Sequence, residues 1–336
     1  MRCGPCHRPH TRRSRRRPIL VVFAHTRLAS KEDTLMELGM VGLGRMGANM
    51  AQRLAQGGHT VSGFDPSPEA RQRVAAQGIT PADSLQALVA GMSAPRVVWL
   101  MVPAGKIVDD TLDTLLPLLA EGDIVIDGGN SFYQDTLRRA QRLQEAGLHY
   151  VDCGTSGGVW GLTEGYSMMV GGADDALALL KPIFETLAPS PTTGWGHVGP
   201  TGAGHFTKMV HNGVEYGMMQ AYAEGFAILE RKADFKLDLH QVAQIWQTGS
   251  VVRSWLLDLT ADALKQNPTM AGIAPYVEDS GEGRWTAKEA LDLDVSAPVI
   301  TLSLLERLRS REKDSFADKL LAAMRNGFGG HRITKE

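Results

Sequence analysis

Glu37-Leu38-Gly39-Met40-Val41-Gly42-Leu43-Gly44-Arg45-Met46-Gly47 decides the fold. A short apolar run, read as a strand, enters Gly42-x-Gly44-x-x-Gly47, and a helical pattern follows through Gln56. Glycines at these places permit a tight turn and let a pyrophosphate approach the helix N-terminus, where free N–H groups and the helix dipole favour an anion. The strand before and the helix after raise a weak pattern to a strong one. Thr60 to Phe64 is the next strand, and Asp65 ends it. A carboxylate there accepts hydrogen bonds from the adenosine ribose diol and repels a 2′-phosphate. Pro66, Ser67 and Pro68 follow with no Arg among them, so NAD is expected over NADP. Gly42, Leu43, Gly44, Arg45, Met46, Gly47 and Asp65 are the candidate cofactor residues.

Outward from this unit, strand and helix patterns alternate. Helical periodicity covers Pro68 to Gln77 and Leu85 to Gly91; Val97 to Met101 is an apolar strand, followed by a helix from Lys106 to Leu119. Ile124 to Asp127 is a strand, Phe132 to Ala146 a helix, Tyr150 to Gly154 and Tyr166 to Val170 strands, and Asp174 to Thr186 a helix. This alternation predicts an α/β Rossmann-like, doubly wound sheet with helices on both faces. Gly194 to Gly204 reads as a glycine-rich stretch, and from Ala203 onward helical patterns dominate. The expected division is therefore a NAD-binding domain at 36–200 and an all-α domain at 201–336.

Residues 1–35 do not resemble part of that fold. Residues 1–30 hold eight Arg and no Asp or Glu, against a net charge of −2 for the chain. They are expected to be a disordered Arg-rich extension, with an upstream start codon favoured over a transit peptide and Met36 as the true beginning. Cys3-Gly4-Pro5-Cys6-His7 has the spacing of a haem-attachment site or a thiol pair, but neither the export signal nor the preceding strand is present. The 336 residues, 43% hydrophobic, have room for about two cores. The near-neutral charge gives no bias toward nucleic acid or membrane. Three cysteines argue against a disulfide scaffold. No apolar run approaches the ~20 residues needed to cross a bilayer, so a cytoplasmic enzyme is expected.

The chemistry is expected on the long helix. In Lys208-Met209-Val210-His211-Asn212-Gly213-Val214-Glu215-Tyr216, helical spacing puts Lys208, His211, Asn212 and Glu215 on one face. Phe206, Met209, Val210, Val214, Met218 and Met219 surround that stripe, so the helix is expected to be buried nearly all round. Burial of these polar groups is costly unless they satisfy one another or face a polar cavity. A structural Lys208–Glu215 ion pair is one reading. The other is a proton-transfer site: an amine acting as base and acid, a carboxylic acid beside it, and two groups to hold a substrate.

Three further groups stand at strand ends or in the helical half. Asn130, in Asp127-Gly128-Gly129-Asn130-Ser131, follows a strand where ligands bind in such sheets. Val102, Pro103 and Ala104, after the Val97 strand, are counted with it in the cofactor set. Ser156, Gly157 and Gly158 end another strand, with backbone N–H groups and a hydroxyl suited to a carboxylate. Arg284, Arg307, Arg325 and His331 together suggest a bound phosphate, for which Arg is well shaped.

At these residues the chain resembles the decarboxylating 6-phosphogluconate dehydrogenases, a branch of the β-hydroxyacid dehydrogenases, from about Met36 to His331. The Gly-x-Gly-x-Met-Gly loop and the Ser-Gly-Gly turn are shared across the superfamily. Lys208-x-x-His211-Asn212-x-x-Glu215-Tyr216, Gly-x-Gly-Arg284-Trp285-Thr286 and Arg325-x-x-Phe328-Gly329-x-His331 are more specific. The resemblance implies oxidation and decarboxylation of 6-phospho-D-gluconate to ribulose 5-phosphate, without a metal. Lys208 would be base and then acid, Glu215 the acid that protonates the enediol, and Asn212 a third catalytic group. Asn130, Ser156, Gly157, Gly158, His211 and Asn212 would hold the carboxylate and hydroxyls, and Tyr216, Arg284, Thr286 and Arg307 the phosphate. Arg325 and His331 would complete a neighbouring subunit's site, so a homo-oligomer, dimer or tetramer, is expected.

Arg284 stands where many members have Lys; Asp65 replaces a polar-basic pair of NADP-dependent members; and the helical part is shorter, as in the short bacterial branch. The runner-up is an unphosphorylated-acid dehydrogenase acting on a substrate such as 3-hydroxyisobutyrate, against which the cations and Glu215 argue. A non-catalytic nucleotide-binding redox sensor using Cys3 and Cys6 would leave the Lys208/Glu215 stripe without a purpose.

Overall fold

The computed structural model describes Met1, residues 35–329 and residues 332–334. The Arg-rich extension expected at 1–35, its cysteine pair, and His331 therefore lie almost wholly outside the described residues. Strand β1 (Glu37–Val41) leads into α1 (Arg45–Gln56), followed by β2 (Thr60–Phe64), α2 (Pro68–Ala75), β3 (Thr80–Pro81) and α3 (Leu85–Ala90). Next come β4 (Val97–Leu100), α4 (Lys106–Leu115), β5 (Ile124–Asp127), α5 (Tyr133–Glu145), β6 (His149–Ser156) and α6 (Gly161–Glu164). The sheet part closes with β7 (Ser167–Gly171), α7 (Asp174–Leu187) and β8 (Trp195–Gly199). Helices follow: α8 (Ala203–Arg231), α9 (Leu239–Gln247), α10 (Trp255–Gln266), α11 (Glu282–Asp292), α12 (Pro298–Arg309) and α13 (Phe316–Gly329). None of the described helices is long and apolar enough to cross a membrane.

One sheet of eight strands runs β3-β2-β1-β4-β5-β6-β7-β8. Neighbours are parallel except β6 and β7. The central strands carry continuous apolar runs because both faces are covered. Val97, Trp99, Ile124 and Ile126 enter one core with α1 and α7, while Val98, Leu100 and Val125 enter another with α3, α4 and α5. The period-2 alternation of a strand makes that division. A third core joins the far half of α8 to α9 and α10 through Phe226, Ala243, Leu257, Ala261 and Leu264.

Three expectations are corrected. The helix read to Leu119 ends at Leu115 and gives way to a single tighter turn, Leu116–Leu118. Pro117 has no N–H to continue the α ladder, and its ring crowds the carbonyl four residues back. The glycine-rich stretch after Gly194 contains β8, an edge strand with little apolar signature that pairs with β7 through its backbone. Helix α8 is not buried all round, since Val214 is 48% exposed and Met218 39%.

The start of α8 is fixed by the sheet. Local side chains cap α2, α3, α9 and α10, namely Ser67, Ser84, Asp238 and Ser254. Gly202 at the N-cap of α8 has none to offer. Asp152, buried in β6, supplies the cap instead: its carboxylate accepts from Gly202 N at 2.6 Å and His205 N at 2.7 Å. Satisfying orphan N–H groups in this way anchors a helix end. His205 Nδ1 then meets Thr136 Oγ1 of α5 at 2.7 Å.

Candidate active site

The loop after β1 has the form a dinucleotide needs. Gly42 has φ of +93°, and a Cβ there would lie 2.4 Å from Met101 O, so no other residue fits against β4. Nothing lies within 4 Å of the space beside Gly44. Helix α1 begins there with no side-chain cap, leaving its first N–H groups for an anion. Arg45 is exposed, Met46 packs on the first core, and Leu43 is fully buried. Asp65 accepts from Leu43 N at 2.8 Å and Ser67 N at 2.9 Å, one bond to each oxygen. Each oxygen keeps a lone pair for a ribose hydroxyl. An open, donor-lined cradle ending at a fixed carboxylate fits NAD.

Two arginines that sequence order did not place here return from α2. Arg71 donates to Asp65 O at 2.7 Å, and Arg73 to Leu43 O at 2.8 Å. Both brace the loop from the ribose end. The β4 and β5 ends also converge on it: Val102 lies beside Gly42, and the carbonyl of Val102 lies beside Gly129. Pro103, Ala104 and Asn130 are exposed at that edge. Asp127 holds the Asn130 loop by accepting from Gly129 N at 3.1 Å and Ser131 Oγ at 2.7 Å, with Tyr150 OH at 3.0 Å.

The polar stripe of α8 rests on the end of β6. A Cβ on Gly154 would lie 2.3 Å from Lys208 Cβ, so only glycine lets the helix come this close. Lys208 is 6% exposed and Asn212 9%, whereas His211 and Glu215 are half-buried. Burial pushes the Lys208 amine toward its neutral form, and the charges of Glu215 and Glu282 oppose that shift; the net direction is down. Lys208 Nζ lies 3.3 Å from His211 Nδ1, which lies 3.1 Å from Asn212 Oδ1 and 3.9 Å from Glu215 Oε2. With its Nδ1 protonated, His211 donates to Asn212 and faces a neutral Lys208 lone pair. With Nδ1 bare, it accepts from Lys208 and the Asn212 amide must turn its nitrogen inward. Among the described residues no ion pair joins Lys208 to Glu215, so the structural ion-pair reading fails.

Helix α11 closes the far side. Gly213 of α8 faces Thr286, and Gly283 of α11 faces the Tyr216 ring. The Asn130 loop is drawn to the same place by Phe132 against Trp285, ring centroids 5.1 Å apart, and Tyr133 against Phe206 at 5.2 Å. Ser156 and Gly157 are half-buried and Gly158 exposed at the end of β6.

The expected phosphate residues are not all brought together. Arg307 stacks its guanidinium 3.4 Å from the Tyr216 ring centroid and donates to Glu278 O at 2.8 Å. Arg284 pairs with the buried carboxylate of Asp279 at 2.6 Å. Burial works to raise Asp279, but the bonds from Arg284 and Gly281 N–H win and hold it below the usual carboxylate range. Thr286 is buried, and its one hydroxyl proton is shared between Met209 O at 2.7 Å and Glu282 O at 2.8 Å. That leaves no donor for an anion, and Thr286 serves here as a packing partner of Gly213. Arg325 is exposed on α13, and His331 lies outside the described residues. Glu282 carries no local signal in the sequence: Gly281-Glu282-Gly283-Arg284 stands out for its cation, and nothing nearby in the chain marks the carboxylate as buried.

Comparison with known proteins identifies the family of both parts of the chain. A family profile described as the NAD binding domain of 6-phosphogluconate dehydrogenase matches residues 37–196, and one for the C-terminal domain of that enzyme matches 204–326. The chain is 45% identical over 302 residues to an NAD(+)-dependent, decarboxylating 6-phosphogluconate dehydrogenase of Haloferax volcanii, covering 90% of this chain and 99% of that protein. It is 38% identical over 293 residues to an NADP(+)-dependent, decarboxylating 6-phosphogluconate dehydrogenase of Bacillus subtilis, covering 83% of this chain but 62% of that longer protein. Among solved structures it is similar to the Plasmodium falciparum 6-phosphogluconate dehydrogenase, with TM-score 0.76 and 28% identity, covering 89% of this chain and 66% of that one.

Proposed function

The chain belongs to the 6-phosphogluconate dehydrogenase family, and from that premise we propose that it converts 6-phospho-D-gluconate to ribulose 5-phosphate and carbon dioxide with NAD. The observation that carries this reading is Lys208: an amine buried against Gly154, made more easily neutral by burial, with His211, Asn212 and Glu215 on the same helix face. NAD, held by the Gly42–Gly47 loop and Asp65, supplies the hydride acceptor for C3. Neutral Lys208 takes the proton of the C3 hydroxyl. The resulting 3-keto acid loses carbon dioxide because its ketone receives the electron pair of the breaking bond. Protonated Lys208 donates to the developing enediolate oxygen, where a fixed donor in a water-poor site is most effective. Glu215, half-exposed and able to regain a proton from solvent, protonates C1 of the enediol. The ketone is the electron sink, so the decarboxylation asks for no metal.

In the same proposal Asn130, Ser156, Gly157, Gly158, His211 and Asn212 hold the carboxylate and hydroxyls, and Arg307 with Tyr216 and Arg284 receives the phosphate. Arg325 and His331 complete a neighbouring subunit's site in a homo-oligomer. Residues 36–200 act as the cofactor part and 201–336 as the substrate and dimerisation part of a cytoplasmic enzyme of the pentose phosphate pathway. Steady-state kinetics with 6-phosphogluconate, NAD and NADP, with carbon dioxide trapped, tests the reading. Equal NADH and carbon dioxide yields are expected; reduction of NAD by unphosphorylated acids without carbon dioxide would replace it with the simple dehydrogenase.

A further inference from the structure

Glu282, the first residue of α11, is 5% exposed. Ser280 Oγ donates to its Oε2 in a short bond, and Tyr216 OH lies 3.2 Å from Ser280 Oγ. Because the serine gives its one proton to the carboxylate, it must accept from the tyrosine. A directed chain Tyr216–Ser280–Glu282 results, with Arg307 stacked on its outer end. The N-terminus of α11 favours a negative charge at this position, which offsets the cost of burial. Glycines at 213 and 283 let α8 and α11 touch, so this carboxylate faces the helix that carries Lys208. Among the described residues it makes no ion pair with Lys208, and its charge favours the ammonium form from across the helix contact.

Around Lys208 the charged and titratable groups are few. Its own helix supplies His211 and Glu215, and also buried His205 one turn earlier, whose Nδ1 is bonded to Thr136; α11 supplies Glu282. Strand β6 presents Gly154 at the contact and turns Asp152 to the helix start. Strand β7 carries no titratable side chain, and His197 of β8 is bonded to Gly199 O. Tyr133 of α5 is bonded to Glu289, and Arg307 of α12 covers Tyr216. Glu215 must be a neutral acid when the enediol is protonated, and its negative charge is then gone. Among the described residues, Glu282 is then the buried carboxylate at the α8–α11 contact whose charge still favours the ammonium.

We propose that Glu282 is a positioning residue: a buried negative charge, oriented by Ser280 and Tyr216 at the α8–α11 contact, that acts on the Lys208 amine. This rests on Lys208 being the base, as proposed above. Both carboxylates oppose the desolvation of Lys208, which is the direction required.

The test compares the parent, Glu282→Gln and Glu282→Asp by two readouts. One is the pH profile of kcat/KM; the other is the pH dependence of Lys208 acetylation by acetic anhydride, followed residue by residue by mass spectrometry. Neutral amine is both the base and the acetylated form. Loss of the charge therefore moves the rising limb of kcat/KM and the acetylation midpoint to lower pH, with KM for NAD unchanged. Glu282→Asp, which keeps the charge, returns both toward the parent. Profiles for Glu282→Gln that coincide with the parent in both readouts overturn the inference. Should that variant fail to fold, Ser280→Ala, which frees the carboxylate from its donor, carries the test: a shifted acetylation midpoint supports the inference, and an unchanged one overturns it. If Lys208→Met still oxidises substrate, the base assignment fails, and the acetylation midpoint reports separately on whether Glu282 acts on the amine.

Discussion

Gly154 and Lys208 meet stem to backbone: a Cβ on the glycine would lie 2.3 Å from the lysine Cβ and 2.8 Å from Gly204 O. The end of β6 and the first turns of α8 are thereby locked in one register. The Lys208 amine is buried beside the end of β6.

Gly154→Ala is expected to push α8 off β6, because one neighbour is backbone and cannot swing away. Overpacking of this kind costs about 1–3 kcal/mol. A lower urea midpoint with unchanged slope, and a kcat loss larger than any change in KM for NAD, are the expected outcomes. An alanine variant as active and stable as the parent would refute the close packing.

Lys208→Met is expected to abolish oxidation, a loss of about 10²–10⁴-fold or more for removal of a positioned base, while NAD binding persists. Stability moves the other way. Desolvation lowers the folded amine below its unfolded value, so the unfolded chain binds the extra proton in the interval between them. Lys208 therefore weakens the fold below its folded pKa, and that penalty fades as pH rises through the folded value toward the unfolded one. Thermal melts from pH 7 to pH 10.5 should show Lys208→Met more stable than the parent at the lower end, the gap narrowing upward.

Glu215→Gln is expected to spare NAD binding and lower the later protonation. In tritiated water, incorporation at C1 of ribulose 5-phosphate should fall with kcat, by about 10²–10⁴-fold if the carboxyl is the acid. Unchanged kcat would pass that role to another group.

Asp65→Asn keeps the shape but gives the amide one oxygen for two backbone donors, Leu43 N and Ser67 N. Charged hydrogen bonds contribute roughly 1.5–3 kcal/mol each. KM for NAD should rise about tenfold or more, and the ratio of NAD to NADP efficiency should fall, since a repelling charge is gone and Arg71 and Arg73 stand beside the loop.

Much of the fold could be read before any coordinates. The Gly42–Gly47 loop, Asp65 and the stripe from Lys208 to Glu215 depend on spacing along one element, and local periodicity is written directly in sequence. The misreadings fall where a neighbour decides. Strand β8 forms because β7 offers an edge, and α8 exposes Val214 and Met218 because nothing within the described chain covers that side.

Residue order by itself determined that a strand, a glycine loop and a helix would cradle a dinucleotide, and that an amine, an imidazole, an amide and a carboxyl would share one helix face. Tertiary structure decided which of them are buried. It set Lys208 against Gly154, capped α8 with Asp152 from a distant strand, committed Thr286 to backbone carbonyls, and buried Glu282 of α11 where that helix packs on α8. The physical reason is that desolvation and charge act through space, between groups the chain separates by scores of residues.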